Sequence, residues 1–280
     1  MNKRLSILCP RCNKLISSYE PNCPYCGLSR PGSFLRNNPL LRLYLNPTHI
    51  IKSVIITNIV MFVLSTILNP FSTDLSLNPL ALFSPSNQIL LLLGATGTIP
   101  IDQFHRWWTL VSAGYLHGGI LHLFFNMMVL YQIAPLVLEE YGFNRTVIMY
   151  TLGGINGFYV SYVAGVPFTI GASASLFALV GSILYYGKSR GGAYGQIIFK
   201  QIAGWVIGLF LFGLLIPGIN NWAHGGGLGG GILLGYLLGY RDRKRETPLH
   251  KLLATICIVA TTLILLWAVS STLYYRLTAT

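Results

Sequence analysis

Charged residues are scarce in this sequence. Only 9% of its 280 residues carry a charge and only 7 are acidic, whereas a soluble domain has about 25% charged residues. Hydrophobic residues make up 53% of the chain, and the mean hydropathy is +0.59. This balance excludes an ordinary soluble protein and indicates a polytopic membrane protein. In a membrane protein, a net charge of +12 suggests that positively charged loops set the orientation of the chain in the membrane, rather than that the chain binds nucleic acid.

Cysteine is scarce as well, with 5 in the whole chain. Four of them lie within the first 26 residues, and Cys257 lies in the last apolar run. This distribution excludes a disulfide-rich secreted scaffold. The N-terminus is polar rather than a short apolar run followed by a cleavage site, so we expect no secretory signal peptide.

The N-terminal cysteines form two Cys-x-x-Cys turns, "CPRC" and "CPYCG", which ten residues separate. Two such turns can direct four thiolates at one tetrahedral ion, so the spacing predicts a structural Zn²⁺ site of Cys9, Cys12, Cys23 and Cys26. A redox pair or a chance spacing is the alternative. A segment this short has no core of its own, so the metal would supply most of its folding free energy.

Seven apolar runs are long enough to cross a bilayer as helices. They cover roughly residues 51–69, 117–137, 144–164, 173–187, 197–215, 222–240 and 252–273. All but Arg106 and Arg276 of the 19 Lys and Arg residues fall on one side of this arrangement. The positive-inside rule then predicts a plasma-membrane protein with a cytoplasmic N-terminus and a C-terminus outside.

The pattern divides the chain into four regions. We expect a cytoplasmic zinc ribbon at 1–29, a linker at 30–50 for which the inner membrane surface is one location, a six-helix core at 51–245 and an extra transmembrane helix at 246–280. The outward-facing connection at 70–116 contains Arg106, Trp107 and Trp108. These residues suit the membrane interface as anchors, and a direct role with substrate is equally open.

Polar side chains are costly inside a membrane and are often functional. They form three clusters here: His117, His122 and Asn126 in the second run, Gly171, Ser173 and Ser175 in the fourth, and His224 in the sixth. With the N-terminus inside, all three clusters lie near the outer ends of even-numbered helices. Polar residues from distant parts of the sequence therefore converge at one membrane depth.

Each cluster by itself has an ordinary structural explanation. A lone histidine is usually a packing residue, and a lone serine usually bonds back to a helix carbonyl. Gly227, Gly231 and Gly235 form a close-packing face on the sixth helix. That face would also bring His224 near Ser173. Ser175 lies about 200° further around the helix and should point away.

Ser173 and His224 together suit nucleophilic catalysis, because a serine is a poor nucleophile until a base takes its proton. The acidic residues lie in predicted tails, loops or helix ends, so we expect a dyad without a carboxylate. Phe177 lies one turn after Ser173 and offers a ring on which His224 can stack. The Ser173 N–H at a helix N-terminus, Asn126 and His117 are candidate donors to an oxyanion.

The combination resembles the rhomboid intramembrane serine proteases over about residues 51–245. The family's motifs appear as His117, His122 and Asn126, as Gly171-Ala172-Ser173, and as Ala223, His224, Gly227 and Gly231. The resemblance implies a six-helix core, here with one extra helix. It also implies Ser173 as nucleophile, His224 as base, Asn126 and His117 near the oxyanion, and supporting roles for His122, Gly171 and Phe177.

Two positions depart from the family pattern. Ala174 follows the serine where glycine is common, and the Trp-Arg pair of the first loop is reordered to Arg106-Trp107-Trp108. If the site requires an unusual backbone angle after the serine, Ala174 would impair activity. The cysteine module is an appendage that the core family does not require.

The sequence as a whole favours a serine endopeptidase that cleaves transmembrane proteins near their outer ends. Its partners would be such substrates, membrane lipid and a cytoplasmic protein at the zinc ribbon, and catalysis would need no cofactor. A catalytically inactive rhomboid-like binder of membrane helices is the main alternative. A transporter is a further alternative, but it would spread polar groups through the membrane depth instead of gathering them at one level.

Overall fold

The computed structural model describes residues 6–10, 14–33, 48–68, 83–216 and 218–278. It divides the chain into two compact units, Met1–Val54 and Ile55–Thr280. Cys12 and most of the predicted linker lie outside the described residues.

The first unit contains a short antiparallel pair, β1 (Ser6–Leu8) and β2 (Leu15–Ser17), in which Ile7 lies opposite Ile16. Its small core consists of Cys9, Ile16, Cys23 and Leu28, all buried. Two of these four side chains are cysteines, so the apolar surface available to stabilise this unit is small.

Seven long helices account for most of the remaining described chain. They are α1 (Thr48–Ile67), α2 (Ile120–Tyr141), α3 (Phe143–Val163), α4 (Ser173–Arg190), α5 (Gly192–Leu215), α6 (Asn221–Leu238) and α7 (Pro248–Thr278). Each predicted apolar run overlaps one of these helices, with ends that differ by up to five residues. The prediction of an all-helical membrane protein is confirmed.

Four of the helices in the described chain are individually long and apolar enough to cross a membrane: α1, α2, α5 and α7. The other three, α3, α4 and α6, pack mainly on one another. Their lower hydropathy has a physical reason, because a helix that other helices surround can carry glycine and serine where a lipid-facing helix needs large apolar side chains.

Glycines allow these three central helices to approach backbone to backbone. A Cβ at Gly227 or Gly231 of α6 would overlap the carbonyl of Ala174 or Ala178 in α4. A Cβ at Gly157 of α3 would lie 2.6 Å from the carbonyl oxygen of Ala223. The predicted glycine face of α6 is therefore its contact with α4.

The connection between α1 and α2, described from residue 83, folds into short helical segments at Asn87–Leu92, Ile99–Gln103, Thr109–Ser112 and Ala113–Tyr115. It holds the loop that precedes α4. Thr96 and Thr169 exchange backbone hydrogen bonds of 3.1 and 2.7 Å, and the Gly171 N–H donates to the Ala113 carbonyl at 2.9 Å.

The last helix, α7, packs on α3 and on two of these short segments, Asn87–Leu92 and Thr109–Ser112. Its buried face follows a heptad-like spacing that comprises His250, Ala254, Cys257, Thr261, Leu265, Ala268 and Thr272. Near its C-terminus the Arg276 guanidinium donates to the Leu68 carbonyl at 2.7 Å. The extra helix is thus an integral part of the larger unit.

The close contact between α4 and α6 yields a prediction about stability. We expect Gly231→Ala to lower the free energy of unfolding by about 1–3 kcal/mol, because the new methyl group collides with a backbone carbonyl. Gly229→Ala on the same helix is the matched control, since its Cβ would have no described atom within 4 Å. Thermal unfolding in detergent measures both, and equal melting temperatures would contradict the proposed packing.

Candidate active site

Ser173 is the first residue of α4, and Ala172 is the N-cap. Gly171 enters this helix with a φ of +122°, a conformation that residues with a Cβ rarely adopt. A Cβ at Gly171 would also lie 2.8 Å from the His122 ring. Glycine is therefore required here by both backbone conformation and space, and it allows the chain to turn sharply into Ser173.

His224 lies in the first turn of α6 and faces Ser173 directly. Its Nε2 lies 2.9 Å from the Ser173 Oγ, a hydrogen-bond distance between residues 51 positions apart. The Phe177 ring stacks on the imidazole, with centroids 4.3 Å apart and an interplanar angle of 15°. The base candidate is thus held by a flat apolar surface on the helix that also carries the serine.

No carboxylate among the described residues completes a triad, and the buried Nδ1 of His224 has no hydrogen-bond partner there. Four of the described carboxylates bond elsewhere: Asp102 to Tyr162, Glu140 to Tyr194, Asp242 to Arg190 and Glu246 to Asn144. Stacking on Phe177 therefore substitutes for the usual orienting hydrogen bond.

Three polar residues occupy different positions around the site: His117, which lies just before α2, and His122 and Asn126 within it. His122 and Asn126 line the groove that contains Ser173, and His117 is fully buried behind them. The His117 and His122 rings meet edge to face at 5.0 Å. The Asn126 amide donates to the His122 carbonyl at 2.8 Å. This placement favours His122 over His117 as the histidine that a bound substrate could reach.

Ala174 and Ser175 both turn away from the groove towards α3. Ala174 lies in regular helix, and its methyl group packs at Gly157, which has no side chain to obstruct it. The Ser175 hydroxyl lies against Gly154. The alanine that follows the serine thus needs no unusual backbone angle, and Ser175 is a packing residue.

An apolar groove of about 1100 Å³ leads to Ser173 and His224. Its walls come from α2, α4, the end of α5, the start of α6 and the loops that precede α4 and α6, with one residue of α3. The large apolar side chains include Phe125, Val129, Phe158, Leu176, Phe210 and Leu214. Among the described lining residues, the polar side chains are His122, Asn126, Thr169, Ser173, Asn220, Asn221, Trp222 and His224. The groove therefore suits an apolar chain segment whose reacting group is polar.

Two further features concern residues outside the predicted catalytic set. Arg106, Trp107 and Trp108 do not line the groove. The Arg106 guanidinium donates to the Leu91 carbonyl at 3.3 Å within the connection between α1 and α2. Asn220, which the motifs did not single out, is the N-cap of α6 and accepts a hydrogen bond from the Ala223 N–H at 3.1 Å. An asparagine just before the apolar helix was the available signal.

Three of the predicted metal ligands cluster in the first unit. The sulfur atoms of Cys9, Cys23 and Cys26 all lie within 4.8 Å of one another, and those of Cys9 and Cys26 are 3.6 Å apart. Zn–S bonds of about 2.3 Å place tetrahedral ligands about 3.8 Å apart. The cluster could therefore hold a metal ion, with Cys12 as the predicted fourth ligand.

The local structure also favours the thiolate that such a site needs. Desolvation would raise the pKa of Cys23, but hydrogen bonds from the backbone of Tyr25 and Cys26 and from the thiols of Cys9 and Cys26 outweigh it and lower this pKa to about 7. A metal ligand must lose its proton on binding, so this lower pKa assists coordination.

Comparison with known proteins concerns the helical part of the chain. Residues 105–241 match the family model of the Rhomboid domain. Similar relatives include the Rhomboid protease GluP of Bacillus subtilis (32% identical, covering 52% of this chain and 28% of the relative) and RHOMBOID-like protein 4 of Arabidopsis thaliana (30%, 54% and 38%). Inactive RHOMBOID-like protein 8 of Arabidopsis thaliana is 30% identical (55% and 44%). The chain spans less than half the length of these relatives.

The cysteine cluster yields a prediction about metal content. We expect the purified, reduced full chain to contain one Zn²⁺, and Cys23→Ser to lose most of it, because a closed four-sulfur site tolerates no missing ligand. Cys257→Ser is the control, since that thiol is buried in α7 and should leave the content unchanged. Mass-spectrometric metal analysis measures the stoichiometry, and zinc-free wild-type protein would contradict the assignment.

Proposed function

We propose that this chain, whose residues 105–241 match the family model of the Rhomboid domain, is an intramembrane serine endopeptidase that acts through a Ser173–His224 dyad. The observation that carries the proposal is the 2.9 Å separation of Ser173 Oγ and His224 Nε2 at the base of an apolar groove. A non-catalytic helix bundle has no need for a nucleophile and a base in contact.

In the proposed reaction the dyad forms and then hydrolyses an acyl-enzyme. His224 Nε2 takes the proton of Ser173 as Oγ attacks the scissile carbonyl carbon. The imidazolium then gives that proton to the leaving amine as the peptide C–N bond breaks. A water molecule, deprotonated by the same nitrogen, attacks the ester, and Ser173 regains its proton as the acid product leaves.

The start of α4 supplies the environment for the oxyanion. The Ser173 N–H lies at the helix N-terminus, where the helix dipole favours negative charge. The side-chain nitrogen of Asn126 carries two N–H groups, and its hydrogen bond to the His122 carbonyl uses one of them. We assign the other Asn126 N–H and the His122 ring as further candidate donors, with His117 as packing support behind His122.

The groove favours a transmembrane segment as substrate. Its walls are mainly aliphatic and aromatic side chains of α2, α4 and α5, which suit a chain that arrives from lipid. A helical peptide bond is shielded by its own side chains, so the substrate must unwind near the cut. Helix-weakening residues are the expected preference. The lysine and arginine distribution supports cleavage near the outer face.

The remaining proposals concern location and the appended regions. The same charge distribution supports a plasma-membrane protein with a cytoplasmic N-terminus and an outer C-terminus. We propose residues 1–29 as a zinc ribbon that recruits a cytoplasmic partner or braces the linker at 30–50. Residues 51–245 form the proposed protease core and 246–280 its additional helix.

One relative favours the alternative of a catalytically inactive membrane-helix binder. This relative is Inactive RHOMBOID-like protein 8 of Arabidopsis thaliana, which is 30% identical over 158 residues. The contact between Ser173 and His224 in this chain supports the enzyme instead.

The proposal predicts that Ser173 is the residue a serine-hydrolase probe labels. We expect Ser173→Ala to abolish fluorophosphonate labelling, and His224→Ala to lower its rate at least about 100-fold because the base is lost. Ser175→Ala is the matched control, since its hydroxyl faces α3, and it should label like the wild type. In-gel fluorescence of the purified protein measures the labelling.

A comparison of the membrane-protein fragments that cells release would identify substrates. These fragments appear with the wild-type protein and are missing with Ser173→Ala. If Ser173→Ala labels as well as the wild type, Ser173 is not the nucleophile and the proposed mechanism is wrong.

A further inference from the structure

The two dyad residues come from elements that are distant in the sequence, and their 2.9 Å contact requires that these elements stay in register. His224 depends on the first turn of α6. Ser173 depends on the loop that runs from Val166 to Ala172. The glycine contacts between α6 and α4 begin one turn beyond His224, at Gly227, so they do not by themselves fix this first turn.

Asn220 bonds to three different elements at this level. Its side-chain oxygen accepts from the Ala223 N–H at 3.1 Å and so caps α6. Its side-chain nitrogen donates to the Ser161 hydroxyl of α3 at 2.6 Å and to the Thr169 hydroxyl at 2.9 Å. One amide thereby uses both of its N–H groups and its carbonyl to join α6, α3 and the loop before α4.

Thr169 is itself firmly held, so the link from Asn220 ends on a rigid point. Its N–H and carbonyl pair with the backbone of Thr96 in the outer connection. Two residues later, the Gly171 N–H bonds to the Ala113 carbonyl. The short segment from Thr169 to Ser173 is thus anchored at its start by Asn220 and Thr96 and in its middle by Ala113.

Within the described chain, hydrogen bonds join the first turn of α6 and its cap to the segment 166–173 at two places. One is the Asn220–Thr169 bond, and the other is the dyad bond itself. Because the dyad bond must break and re-form during the reaction, it cannot also maintain the register. The Asn220–Thr169 bond is the connection that persists.

We propose that Asn220 is a positioning residue that sets the distance between Ser173 and His224 by tying the cap of α6 to the loop that leads into α4. This inference rests on the proposed function, since it assigns a role toward the dyad. Asn220 contacts neither reacting atom and acts through Thr169 and the first turn of α6. Displacement of reacting groups by about 1 Å costs about 100-fold in rate, so loss of this link should reduce the chemical step.

The test uses full-length protein in detergent and a fluorophosphonate probe at several concentrations, which separates the maximal labelling rate (kinact) from the apparent probe affinity (KI). Asn220→Ser keeps a good N-cap but is too short to bond to Thr169 and Ser161 as well. We expect its kinact to fall at least about 10-fold while KI stays within about 2-fold. Thr169→Val, which removes only the hydroxyl, should reproduce most of this loss.

The double variant of Asn220→Ser and Thr169→Val distinguishes the proposed positioning role from a general effect on stability. If one bond carries the effect, Asn220→Ser adds little to the loss in kinact once Thr169→Val is present. Thr247→Ala is the matched control, because the Thr247 hydroxyl accepts from the His250 N–H at the start of α7. It should lower the melting temperature and leave kinact unchanged.

The possible failures are distinguishable. Labelling of wild-type protein that persists in Ser173→Ala overturns the proposed function. Ser173-dependent labelling with an unchanged kinact in both Asn220→Ser and Thr169→Val overturns the inference about Asn220 alone. Additive losses in the double variant, or an equal loss of kinact in Thr247→Ala, would show a general loss of stability and would also overturn it. If Asn220→Ser does not fold, Thr169→Val alone decides the question.

Discussion

The contact between α4 and α6 is the constraint on which the rest of the larger unit depends. Gly227 and Gly231 let these helices meet through backbone atoms of Ala174 and Ala178, an approach that any larger side chain would prevent. Side chains at the N-terminal ends of both helices are then close enough to form a hydrogen bond, as Ser173 and His224 do. The same closeness leaves α4 with little exposure to lipid, which explains why its sequence is less apolar than that of α1, α2, α5 or α7.

The site compensates for the scarcity of acidic residues by packing and by neutral hydrogen bonds. A carboxylate buried beside His224 would be costly to desolvate in this setting. The imidazole instead lies flat on Phe177, and the Asn220 side chain caps the N-terminus of the helix that carries it. Close packing also accommodates Ala174, because its methyl group occupies the gap that Gly157 leaves. At this position the rhomboid pattern that the sequence resembles commonly has glycine, and the alanine here is matched by a glycine on the facing helix.

Much of the architecture could be predicted from the sequence because hydrophobic runs and glycine spacing are local properties. The seven helices and the packing face of α6 follow from such patterns. The relative positions of His117 and His122 could not be predicted in this way. Other helices form much of the groove, so the five-residue spacing does not show which of the two rings faces it. The links from Asn220 to Ser161 and Thr169 were equally hidden, since the three residues come from separate elements.

The sequence by itself determined that this is a helical membrane protein and which of its helices carry polar residues. It also showed that the apolar helices contain a serine and a histidine that could form a dyad, and that the acidic residues lie outside these helices or at their ends. Charge, hydropathy and helical periodicity carry this information, because each of them can be read from the order of residues along the chain. Only the tertiary structure decided that Ser173 and His224 lie within hydrogen-bond distance, that His122 rather than His117 lines the groove, and that Ala174 fits against α3. These outcomes depend on interhelical distances of a few ångströms, which are set by how side chains from remote parts of the chain pack together.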